Sequence, residues 1–146
     1  MRLVMDAASA ASKYRKHQNN DNTSSGGNCP DFAIQSCSGY ELFSLEVAGP
    51  SHKDQTKFSN DSIKLDRLMQ NSLNYIFSKE LELGCPAPKK LQIFGASTKK
   101  YEITFKKLIR VGKYVILKRM FIAEIPTTIA DYSKLRDLIK KMIILC

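Results

Sequence analysis

Two carboxylates, Asp31 and Glu46, are the side chains best placed to do chemistry in this 146-residue chain. Asp31 follows Pro30 at the head of the strand-like run Asp31-Phe32-Ala33-Ile34-Gln35, and Glu46 lies near the end of a second run from Glu41 to Ala48. Ser38-Gly39-Tyr40 supplies the turn between them. A hairpin of this kind carries one carboxylate on each strand to the same end of a sheet. Hard Mg²⁺ takes oxygen ligands from one or two such groups and keeps waters for chemistry. A metal held there would activate a water and offset charge on a phosphate. The plainer alternatives are a strand-edge or turn role for Asp31 and a solvent-facing or salt-bridged strand position for Glu46.

The elements that must position this pair follow from the hydrophobic pattern. Residues 2–16 carry a loose apolar stripe (Leu3, Val4, Ala7, Ala8, Ala11, Tyr14) that predicts a helix, and residues 17–29 form a polar, flexible loop. In the second hairpin strand Phe43, Leu45 and Val47 share one face, and Leu42, Ser44, Glu46 and Ala48 share the other. Gly49-Pro50 stops it. Ser59 or Asn60 caps a helix running to about Lys79, with Ile63, Leu65, Leu68, Met69, Leu73, Ile76 and Phe77 as its buried stripe. Three strands follow, at 91–97, Tyr101–Ile109 and Tyr114–Ile125, the last with Val115, Leu117, Phe121, Ala123 and Ile125 on one face. A final helix begins at a capping box, Thr128 with Asp131, and turns Ile129, Tyr132, Leu135, Ile139, Met142 and Ile143 inward. The order is helix, two strands with room for a third before Asp31, helix, three strands, helix. That predicts one domain over 1–146 of α+β (α/β) class, a mixed, mostly antiparallel sheet flanked by helices.

Composition narrows the function classes. A hydrophobic fraction of 43% and a charged fraction of 25% are ordinary for a globular protein. No apolar run approaches the roughly 20 residues that span a bilayer, and Asp6 interrupts the short run at the N-terminus, so the expected address is intracellular, cytoplasmic or nuclear, with no membrane partner. Cys29, Cys37, Cys85 and Cys146 form no Cys-x-x-Cys pair, and His17 and His52 stand alone. The set predicts reduced thiols, not a zinc site. No Ser/His/Asp or Cys/His set is present, and Gly26-Gly27 leads to no P-loop lysine.

The net charge of +9 is unevenly spread. Residues 91–126 hold Lys99, Lys100, Lys106, Lys107, Arg110, Lys113, Lys118 and Arg119 against Glu102 and Glu124, whereas residues 30–60 are net acidic. A basic sheet beside an acidic pocket suits a metal-assisted reaction on a polyanion, DNA or RNA, with those eight residues as the nucleic-acid contacts. Tyr101, Phe105 and Tyr114 lie among them and could stack bases. A solvated basic strand face is the alternative.

Pro30-Asp31, Glu46-Val47-Ala48, and the helix and strand that follow resemble the PD-(D/E)XK nuclease superfamily over roughly residues 1–97. The segments 46–50 (Glu-Val-Ala-Gly-Pro), 63–69, 91–95 (Leu-Gln-Ile-Phe-Gly) and 123–126 (Ala-Glu-Ile-Pro) are also similar to an uncharacterised, lineage-expanded fungal protein family that looks like a degenerate branch of that superfamily. The resemblance implies a restriction-endonuclease-like core. It makes Asp31 and Glu46 the catalytic and metal-binding residues, the Val47 carbonyl a third ligand and Mg²⁺ the cofactor. It also exposes a departure, because Ala48 stands where the family carries its lysine. Losing a group that stabilises developing charge costs orders of magnitude in rate. Lys53, Lys57 and Lys64 could reach in from elsewhere, with Lys53 as the third catalytic residue. The expectation is a nuclease-fold domain, catalytically impaired, that retains nucleic-acid binding. The competing expectation is a non-catalytic protein-interaction or regulatory module that inherited the fold.

Overall fold

The structure, a computed structural model, describes residues 2–5, 29–48, 55–84 and 90–143. Within them lies one six-stranded sheet in the order β1-β2-β3-β4-β5-β6. The strands are β1 (Arg2–Met5), β2 (Phe32–Gln35), β3 (Glu41–Ala48), β4 (Lys90–Lys99), β5 (Glu102–Val111) and β6 (Tyr114–Glu124). Every neighbouring pair is antiparallel except β3 and β4, which run parallel from Phe43↔Phe94 to Ala48↔Lys99. A parallel pair needs a long crossover. Here the crossover contains the 28-residue helix α1 (Gln55–Glu82). A 3₁₀ turn at Ile129–Asp131 leads into α2 (Tyr132–Ile143), which packs on β6. The expected α+β class, a mixed and mostly antiparallel sheet flanked by helices, is what the chain forms. No helix among the described residues is long and apolar enough to cross a membrane.

The core is the interface between α1 and the middle of the sheet. Leu65, Met69, Leu73 and Ile76 on the helix meet Ile93 and Leu108, and all six are buried. Gly95 on β4 permits the closest approach. A Cβ built there would lie 2.6 Å from the Met69 sulfur and 3.0 Å from Leu65 Cδ1. The β2–β3 turn requires Gly39 at φ +80, and it closes with the Ser36 N–H donating to the Tyr40 carbonyl at 2.8 Å. At the β4–β5 turn the left-handed position is taken by Lys100, at φ +54.

Four expectations are corrected. Residues 2–5 are a strand, not the start of a helix, because their backbone pairs with β2 from Arg2↔Gln35 to Met5↔Phe32. The rest of the helix expected at 2–16, nearly all of the polar loop, and Lys53 fall outside the described residues. Helix α1 starts before Ser59 and Asn60, which are exposed positions inside it. The turn preceding them already packs on the sheet, with Lys99 Nζ 4.9 Å from the centre of the Phe58 ring. Strand β6 does not keep one apolar face. Phe105↔Phe121 is followed by Lys106↔Arg119, so Met120 is an extra residue that moves Val115 and Leu117 to the face opposite Phe121. Finally, Tyr132, Leu135, Ile139 and Met142 are exposed on α2 instead of packed inward, since among the described elements α2 packs mainly on β6 and the preceding turn.

Candidate functional site

The β2–β3 register builds the site from its strands. Phe32 pairs with Leu45 at the end of the β2–β3 ladder, and Asp31 lies one residue beyond it, close enough for its charge to act on Glu46. Asp31 is fixed at its position by its Oδ2, which accepts the Val47 backbone N–H at 2.6 Å. Glu46 lies on the face covered by α1 and is 2% exposed.

Lys64, on α1, donates from Nζ to Glu46 Oε2 at 2.7 Å. Of the two candidate lysines among the described residues, Lys57 and Lys64, the second meets Glu46. Lys57 sits two turns earlier on the same helix. Ala48 is buried on the same strand face as Glu46, and its backbone is clamped by Thr98. The Thr98 hydroxyl accepts the Ala48 N–H at 3.0 Å and donates to the Ala48 carbonyl at 3.3 Å.

Burial raises the Glu46 carboxyl from 4.5 to about 7, against the opposing pull of the hydrogen bond and charge of Lys64. The negative charges of Asp31 and Asp61 raise it further. A carboxyl poised near neutrality in a polar corner of an otherwise apolar interface is a functional-site signal. Three buried oxygens there have no hydrogen-bond partner, namely Glu46 Oε1, Ser44 Oγ and Ser97 Oγ. Ser97 is the direct register partner of Glu46 across the parallel β3–β4 pair, and Ser44 is two residues back on the same face. Unsatisfied buried oxygens are few in folded proteins. Three in one neighbourhood mark a place that suits an added donor or cation. Two carboxylates with adjacent hydroxyls are hard oxygen ligands, so the donor set fits Mg²⁺ or Mn²⁺. No group of three or more His, Cys, Asp or Glu residues among the described residues makes a ready metal cage.

Asp61, Ser44, Ser97 and Thr98 were not legible as site residues. Asp61 carried the one usable signal, since it precedes Lys64 by three on a helix and shares its face. The serines needed the register between β3 and β4, which no local pattern specifies.

The eight basic residues of the C-terminal strands are not one patch. Lys106 is buried and donates to Ser62 Oγ at 2.8 Å and Asp66 Oδ1 at 2.7 Å, so its charge is spent on anchoring α1. Arg110 lies 3.5 Å over the Phe77 ring and donates from Nε to the Gly112 carbonyl. Lys107 sits on the face away from α1 near Phe94, and Lys113 lies at the β5–β6 turn, at the end of the sheet remote from Glu46. Lys118 and Arg119 are exposed on the edge strand. Lys99 and Lys100, at the β4–β5 turn, share the end of the sheet where Glu46 lies, because Ala48 pairs with Lys99. Tyr101 and Tyr114 are exposed, whereas Phe105 is buried against Phe121 with ring centres 4.6 Å apart. Comparison with family models, with curated proteins and with solved structures finds no match to this chain.

Proposed function

We propose that the chain is a restriction-endonuclease-like domain with an impaired, metal-dependent phosphodiester-cleaving site that retains nucleic-acid binding at the Lys99–Lys100 end of the sheet. The observation that carries this reading is the contact of Lys64 Nζ with Glu46 Oε2 at 2.7 Å, beside Asp31. Two carboxylates and a lysine, the chemical set of a metal nuclease, come together from three elements although the local motif lacks its lysine. Mg²⁺, when bound, would supply an activated water and charge stabilisation. Asp31 and Glu46 would hold it, and Lys64 would orient the water or shield the phosphate.

The same contact accounts for impairment. Lys64 already neutralises Glu46, and near neutral pH the Glu46 carboxyl retains a proton part of the time. A metal must displace both, so its binding strengthens as pH rises above about 7. Calorimetric titration with Mn²⁺ at about pH 6 and about pH 8 tests this. The expected result is binding at the higher pH that is lost in Glu46→Gln and weakened in Asp31→Asn. Cleavage of labelled DNA or RNA should fall further in Lys64→Ala. An absence of Mn²⁺ binding by the wild type at both pH values removes the reading. Nucleic-acid affinity should fall steeply with salt, because phosphate contacts release counterions.

A second reading, a non-catalytic interaction module, is favoured by a different observation. Tyr114 on β6 and Tyr132 on α2 are 64% and 71% exposed, amid other open apolar side chains. A stable protein partner in the absence of nucleic-acid binding would support it over the first.

A further inference from the structure

Strand β6 is eleven residues long and forms the last strand of the sheet. Its outer row of backbone N–H and C=O groups therefore faces no strand among the described residues. Folded proteins protect such an edge by shortening it, by proline, by covering it or by charge. Here Pro126 falls after the strand, and no described helix lies along residues 114–119, all of which are exposed. The edge is also apolar on both faces. Val115 and Leu117 stand exposed on the α1 side, and Ile116 stands 52% exposed on the other.

The charges on this edge indicate what would cover it. Lys118 is the direct cross-strand partner of Lys107, and like charges placed opposite each other in a ladder repel. Neither forms an ion pair among the described residues, nor does Arg119. A second copy fits poorly. Two β6 strands paired antiparallel about their middle would set Lys118 against Arg119, or Arg119 against Arg119. Nucleic acid is also disfavoured, because the exposed side chains of residues 115–117 are aliphatic and the unmet groups are a backbone ladder. Single-stranded nucleic acid uses aromatic platforms and phosphate contacts.

We propose that β6 is a docking edge for an extended acidic peptide segment, which adds as a seventh strand. Its backbone would complete the outer ladder of β6, alternate apolar side chains would cover Val115 and Leu117 on the α1 face or Ile116 on the other, and its carboxylates, on the face opposite its apolar side chains, would lie beside Lys118 and Lys107 in the first case or beside Arg119 in the second. Backbone bonds supply affinity in such strand addition, and the side-chain pattern supplies specificity.

The test uses the full chain and a synthetic capped peptide of alternating glutamate and valine, with an alternating lysine–valine peptide and a single-stranded oligonucleotide as comparators. Fluorescence anisotropy should show binding of the acidic peptide alone at the β6 edge. The double variant Lys118→Glu/Arg119→Glu should weaken it by about tenfold or more and gain affinity for the lysine–valine peptide. Hydrogen exchange followed by NMR should show newly protected amides at every second position of β6, a pattern that binding by charge alone does not give. Peptide binding without that alternating protection overturns the proposal. So does the absence of peptide binding, oligonucleotide contact mapped to Lys118 and Arg119 in its place, or a concentration-dependent dimer through β6 seen by sedimentation.

Discussion

Replacing Glu46 with Gln should remove a large pH dependence from the stability of the protein. The unfolded chain releases the Glu46 proton near 4.5, whereas the folded chain holds it until about 7. Below the lower value the group is protonated in both states and its contribution is fully present. As pH rises, the unfolded state ionises first, so stability falls until the folded carboxyl also ionises, and then levels off. At about 1.4 kcal/mol per pH unit, that interval corresponds to a loss of about 3 kcal/mol from this one group. Other titrating groups, including Asp131 with its lowered value, are common to both proteins and cancel in the difference. Urea unfolding of wild type and Glu46→Gln across this range should therefore show the wild type losing about 3 kcal/mol relative to the variant. A companion variant, Lys64→Met, should move the wild-type drop to higher pH, because the hydrogen bond and charge of Lys64 both pull the Glu46 carboxyl down. A stability difference between wild type and Glu46→Gln that stays constant with pH would refute the argument. It would mean that the Lys64 pair fully offsets the cost of burial.

Two further outcomes follow from the packing of α1. Gly95→Ala should destabilise the protein by about 1–3 kcal/mol in the same urea assay, since the new methyl group meets Met69 and Leu65 at less than contact distance. Lys106→Ala should cost about 1–3 kcal/mol by leaving Ser62 and Asp66 without their donor, yet leave the salt dependence of the proposed nucleic-acid binding unchanged. Lys100→Ala should in contrast lower the steepness of that salt dependence by about one counterion.

Much of the scaffold was legible because it rests on local patterns. The Gly39 turn, the alternation in β3 and the apolar stripe from Leu65 to Ile76 each carry a period or a φ requirement visible within a few residues. Strand β1 was not, because four residues too short to show a period fit a helix or a strand equally, and pairing with β2 decides between them. The reach of α1 beyond Ser59 was hidden for a related reason. Cap preferences are worth about 1 kcal/mol, less than the burial gained by carrying the helix on past Phe58. At the site, Asp31 and Glu46 were readable from a hairpin. The partner of Glu46 was one of three candidate lysines until the crossover geometry brought Lys64 to it. The outward face of α2 shows the converse limit. An amphipathic pattern marks a side that would gain from burial, but Tyr132 and Ile139 show that a cover need not come from the described part of the chain.

The single parallel junction in the sheet has a kinetic consequence. Strands β4, β5 and β6 are joined by tight turns, and β2 and β3 by another, so each group closes short loops and gains its contacts early. Joining β3 to β4 must wait until α1 has formed and folded back, because that pairing closes the long crossover between them. Non-local closure of this kind slows folding. Glu46, Lys64 and Ser97 sit across that seam, so the corner they form is expected to assemble only as α1 docks on the sheet. Substitutions there should accelerate unfolding and leave the refolding rate nearly untouched, whereas substitutions in the β5–β6 hairpin should slow refolding. A chevron analysis of Glu46→Gln beside Phe105→Leu separates the two, and the seam would then be the first part of the molecule to open under native conditions.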